Sequence, residues 1–142
     1  MNNENGKTPE LTPEQTTKVR MAERLIGLCS RYDEEAAAYE VLRRLEAKQD
    51  AAGDMQGAKV TRVREWRQFC TLSLVAENIL AQIKAFVRYF RAPIADLQTV
   101  CNWVAERDGT RAPDAKAYWD RCLPTYNGWR NELQRRTAWR SA

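Results

Sequence analysis

Basic and aromatic side chains interleave at several places in this chain. Trp66-Arg67, Trp129-Arg130 and Trp139-Arg140 are direct pairs, and Arg88-Tyr89-Phe90-Arg91 brackets two rings with two guanidinium groups. Single-stranded nucleic acid is held by this combination, with cations on the phosphates and rings against the bases. Lys84, Arg88 and Arg91 also share one side of a helix and form a short ladder able to track a phosphate backbone. The same pairs have a plainer reading. In a helical bundle, Trp beside Arg is a core position beside a boundary position, the Arg stem covering apolar surface.

Catalytic chemistry has little to work with. The chain contains no histidine, so Ser-His and Cys-His pairs and imidazole metal ligands are excluded. Asp33, Glu34 and Glu35 are consecutive and point in different directions on a helix, whereas two-metal sites need carboxylates converging from separate elements. No Walker loop and no GxGxxG motif occurs. Cys29, Cys70, Cys101 and Cys122 lie far apart, lack the C-x-x-C spacing of zinc sites, and each falls on an apolar stripe. The expectation is four free, buried thiols, no metal or other cofactor, and no enzymatic activity.

Charge is unevenly distributed. The net value is only +4, but residues 58–92 carry seven basic side chains against two acidic ones, and 17 of the 23 basic residues are Arg. Arg suits bidentate phosphate contact and stacking. The residues expected to meet phosphates are Arg62, Arg64, Arg67, Lys84, Arg88 and Arg91, with Arg130, Arg135 and Arg136 as a second patch.

The element that must position most of them is the stretch Ala58–Ala92, which has neither Gly nor Pro and is closed by Gly57 and Pro93. Its apolar residues follow two lines. Val63, Trp66, Cys70 and Leu74 form one; Leu72, Val75, Ile79, Ile83, Phe86 and Phe90 form another, rotated by more than a quarter turn. Either the helix kinks near Thr71–Leu74 or its halves pack against different surfaces.

Around this spine the sequence predicts an all-α, single-domain bundle of five or six helices over residues 12–142, after a disordered tail at 1–11. Thr12-Pro13-Glu14-Gln15 is a capping box with Pro in the first turn. It opens helices at 13–31 and 34–49, fused or separated at Asp33, a second potential N-cap. A loop at 50–57 leads into the spine. Pro93 opens a helix with Ile94, Leu97, Val100, Cys101 and Val104 on one face, closed at Asp108-Gly109. Pro113 starts a short helix, Pro124 and Asn127-Gly128 mark a turn, and a terminal helix runs from Trp129 to about Trp139. Gln98, Thr99 and Asn102 resemble base readers of a helix-turn-helix, but Phe90 and Pro93 fit that motif badly.

No run approaches the ~18 apolar residues of a membrane span. The polar N-terminus has no secretory h-region, so a cytoplasmic protein without a membrane partner is expected. In size, helical content and charge the chain resembles the small subunits of CRISPR effector complexes. The likeness is architectural and carried by no motif. It implies a non-catalytic subunit contacting RNA or single-stranded DNA beside other protein subunits. The other reading of the residues is a helical adaptor or chaperone that works through protein contacts or self-association alone.

Overall fold

The computed structural model describes residues 10–138. Four helices make up this region: α1 Pro13–Ala51, α2 Met55–Phe90, α3 Ile94–Asp108 and α4 Ala115–Thr137. The fold is an all-α bundle with a long second helix and, among the described residues, no strand. Most of the tail expected at 1–11 lies outside the described residues, as do Trp139 and Arg140.

The helix starts and stops have visible local causes. At α1, Gln15 N donates to Thr12 Oγ1 at 3.1 Å and Thr12 N donates to Gln15 Oε1 at 2.9 Å, so the capping box forms as its sequence predicts. Gly53, at φ 75°, turns the chain between α1 and α2. Asp54 then caps α2, accepting from Gly57 N at 2.9 Å, and this starts the helix at Met55 rather than Ala58. Arg91 adopts a left-handed conformation at the end of α2, just before Pro93. Gly109 closes α3 in the same conformation at φ 69°.

Of the two alternatives at Asp33 the fused one holds, and the turn expected at Pro124 and Asn127-Gly128 does not occur, so the helices number four rather than five or six. The backbone runs helically through Asp33, whose side chain accepts from Tyr118 Oη–H at 2.5 Å and lies 3.7 Å from Arg121. Asp33 therefore ties α1 to α4 instead of capping a helix. Pro124 and Gly128 both sit inside α4. An interior proline costs about 3 kcal/mol, but Tyr118 and Cys122 before it are buried and Tyr126 after it packs on the core. Pro124 is exposed, which leaves the Asp120 carbonyl free to meet water. Packing on both sides outweighs the local preference.

Pairs along the two long helices fix their direction. Lys18 lies over Phe90, Gln68 donates to Glu35, and Thr61 donates to Gln49, so α1 and α2 run antiparallel. Lys84 lies over Trp119 and Arg136 over Trp66, so α4 runs antiparallel to α2. The core fills the lower part of this assembly: Leu25, Cys29 and Tyr32 from α1, Leu72, Ile79, Ile83 and Phe86 from α2, Leu97, Cys101 and Val104 from α3, and Cys122 from α4. An 18-residue window of α2 has a mean hydropathy of 1.3, enough by length and composition to cross a membrane. Core helices of bundles also reach such values, and the apolar line from Leu72 to Phe86 is buried against α1, α3 and α4.

The two apolar lines of α2 now separate. Leu72, Val75, Ile79, Ile83 and Phe86 are buried; Val63 and Leu74 are exposed, and Trp66 and Cys70 are half-buried. The helix is continuous across Thr71–Leu74, so its halves meet different surroundings. Above the core, residues 36–51 of α1 and 55–70 of α2 form a two-helix arm. Its seam is mostly polar: Thr61 Oγ1 donates to Gln49 Oε1 at 2.6 Å, Gln68 Nε2 donates to Glu35 Oε1 at 2.6 Å, and Arg62 pairs with Glu46 at 3.3 Å. Tyr39, Phe69 and Trp66 form an aromatic cluster where the arm joins the core.

Candidate nucleic-acid interface

Of the ladder expected from the sequence, Lys84 and Arg88 lie one turn apart on α2, while Arg91 follows the helix as its left-handed cap. Lys84, Arg88 and Arg91 are exposed, and none has an acidic side chain within ion-pair distance among the described residues. Lys84 and Arg88 open onto a groove of about 470 Å³ between the end of α2 and the starts of α3 and α4. Ile83, Val87 and Ile94 supply apolar wall, and Lys116 and Trp119 come from α4. The Lys84 ammonium lies 5.8 Å from the Trp119 ring centroid. Lys116 is held by Asp120, one turn on, at 2.7 Å. Three cations and one indole thus surround a single concavity, and no acidic side chain lines it.

Gln98 holds this arrangement in register. Its Nε2 donates to the Pro113 carbonyl at 2.8 Å, and its Oε1 accepts from Ala115 N at 2.7 Å. Asp114 caps α4, accepting from Ala117 N at 3.1 Å. These bonds fix the first turn of α4, and with it Lys116 and Trp119, against α3. Gln98 is therefore occupied inside the fold and is not available as a base reader.

The other expected phosphate contacts are dispersed. Arg64 and Arg67 are exposed on the arm, about 25 Å or more along α2 from Lys84 at ~1.5 Å per residue. Arg62, also on the arm, shares its charge with Glu46. Arg130 is exposed with its guanidinium 5.8 Å from the Tyr126 ring centroid. Arg135 and Arg136 both bind Glu132, and Arg136 additionally stacks over Trp66 at 3.8 Å. The structure brings Lys84 and Arg88 to one groove, with Arg91 exposed just past the end of the helix, and leaves the second patch partly neutralised.

Sequence reasoning missed Lys116 and the role of Trp119. Their i, i+3 spacing on one helical face was the available signal. That they face Lys84 follows only from the packing of α4 on α2.

The four cysteines are free; Cys29, Cys101 and Cys122 are buried and Cys70 is half-buried. Burial pushes the Cys29 and Cys122 thiols up to about 12 and Cys101 up to about 11, so all three stay protonated at neutral pH. In the arm, desolvation and the neighbouring Glu46 carboxyl push the Glu65 carboxyl up to about 7. Among the described residues, no three His, Cys, Asp or Glu side chains are grouped to hold a metal ion. Compared with protein-family models, curated proteins and solved structures, the chain shows no match.

Proposed function

We propose that this chain is a non-catalytic helical subunit that contacts RNA or single-stranded DNA through the basic end of α2, within a larger nucleoprotein assembly. One observation carries the reading: Lys84 and Arg88 are exposed without an acidic partner on a groove that Lys116 and Trp119 also line and no acid does, with Arg91 exposed just past the helix end. Unpaired cations lose no internal partner when they meet phosphate, so counterion release favours binding. Arg64, Arg67 and Arg130 extend the cationic surface along α2 and α4, while Arg62, Arg135 and Arg136 contribute less because acids already hold them. The likeness to the small subunits of CRISPR effector complexes remains one of size, helical content and charge.

The test is fluorescence anisotropy with labelled single-stranded RNA and DNA, titrated from low to physiological salt. Three contacts from the unpaired Lys84, Arg88 and Arg91 predict a log–log slope of roughly −2 for a single strand. Absence of binding at low salt rejects the reading.

The exposed apolar side chains of the arm favour a second reading, a helical adaptor working through protein contacts. Val41, Val60 and Val63 are 62%, 60% and 52% exposed, on helices whose polar seam leaves their outer sides uncovered. An apolar protein interface responds little to salt, so the same titration distinguishes the two.

A further inference from the structure

We infer that the groove over Trp119 receives one unstacked base of a single strand, with the neighbouring phosphates on Lys84 and Arg88. The inference rests on the nucleic-acid reading above and adds what that reading lacks: a means of distinguishing a single strand from a duplex.

The groove has the composition such a ligand requires. Its volume of about 470 Å³ lies within the ~300–1,000 Å³ of small-ligand sites. Ile83, Val87 and Ile94 offer apolar contact, and the half-buried Trp119 offers a ring fixed in place by the body of α4. A planar base with a π-face stacks on indole regardless of its identity. The cations matter for what they exclude as well. A neutral apolar peptide side chain gains nothing from the two unpaired cations, Lys84 and Arg88, at its pocket, whereas a base arrives with a phosphate on each side. The Lys84 ammonium over the indole marks a reachable ring face. A base stacking there moves Lys84 outward onto phosphate. In a duplex both faces of each base are occupied, so only an unpaired strand can fill the groove.

Three proteins and three ligands test this. The proteins are wild type, Trp119→Leu and Trp119→Phe; the ligands are a single strand, its duplex, and a strand of the same length lacking bases. Trp119→Leu is expected to weaken single-strand binding roughly tenfold, the loss typical of one stacking partner. Trp119→Phe should recover most of it, and duplex and base-free strands should bind all three proteins alike. A strand carrying one photoreactive halogenated uracil should crosslink to Trp119 in the wild-type protein, a readout independent of how the variants fold. Unchanged single-strand affinity in Trp119→Leu, or crosslinks found only elsewhere, overturns the base receptacle while leaving the phosphate ladder standing. Failure of the wild-type protein to bind any strand overturns both.

Discussion

The guanidinium of Arg136 lies 3.8 Å from the ring centroid of Trp66, joining the last turn of α4 to the root of the arm. Glu132 fixes the guanidinium from one helical turn earlier, with its Oε2 3.1 Å from Arg136 Nε. A side chain chosen from sequence as a phosphate contact is thereby engaged within the fold. Arg136→Ala is expected to lower stability by about 1 kcal/mol, seen as a lower urea midpoint. It should change oligonucleotide affinity less than charge reversal at Arg88.

The arm should respond to pH through Glu65. Its carboxyl is raised from an ordinary 4.5 to about 7 by desolvation and by Glu46, against the opposing charges of Arg43 and Arg62. The folded chain therefore binds the proton more tightly than the unfolded chain, and stability falls as pH rises through that window. Glu65→Gln should flatten the dependence and stabilise the protein above neutrality by about 1 kcal/mol, the scale left to a partly exposed carboxyl pair after solvent screening. Denaturation midpoints at acidic and mildly alkaline pH test this. Equal effects at both would contradict it.

Gln98 is expected to matter more than its position on a short helix suggests. Gln98→Leu leaves the Pro113 carbonyl and the Ala115 amide without their partner, at a cost of about 1–3 kcal/mol. Hydrogen exchange should locate the loss at the first turn of α4. Because that turn carries Lys116 and Trp119, single-strand binding should weaken as well.

Gly128 lies inside α4, and a Cβ built there meets nothing within 4 Å. Gly128→Ala should raise stability by about 0.5–1 kcal/mol. A turn at Asn127-Gly128, the reading the sequence favours, would instead lose stability on the same change. Thermal unfolding separates the two.

These cases show how far the sequence could be read. The capping box at Thr12, the stop at Gly109 and the apolar line from Leu72 to Phe86 are local or periodic signals, and each appears in the structure as expected. Asp33, Pro124 and Gly128 misled because their local preference for caps and turns yields to tertiary packing: Asp33 is engaged by Tyr118, and Pro124 is flanked by side chains that pack on the core. The change of apolar phase in α2 was visible, but its meaning was not. It marks where both helices leave the core and become an arm, a boundary set by the length of α4 and the position of α3. Lys84 and Arg88 could be picked from charge and helical register. The groove they border could not, because Lys116 and Trp119 join it only through long-range packing.

The central claim is that unpaired cations at the end of α2 hold a nucleic-acid strand. Its most direct test compares wild type with the Lys84→Glu/Arg88→Glu double variant by anisotropy on a labelled single-stranded RNA across a salt series. The account predicts salt-dependent binding by wild type, and a loss of at least tenfold together with a shallower salt slope in the variant, with helical content and unfolding midpoint retained. Equal binding by both proteins, or no binding by either at low salt, contradicts it.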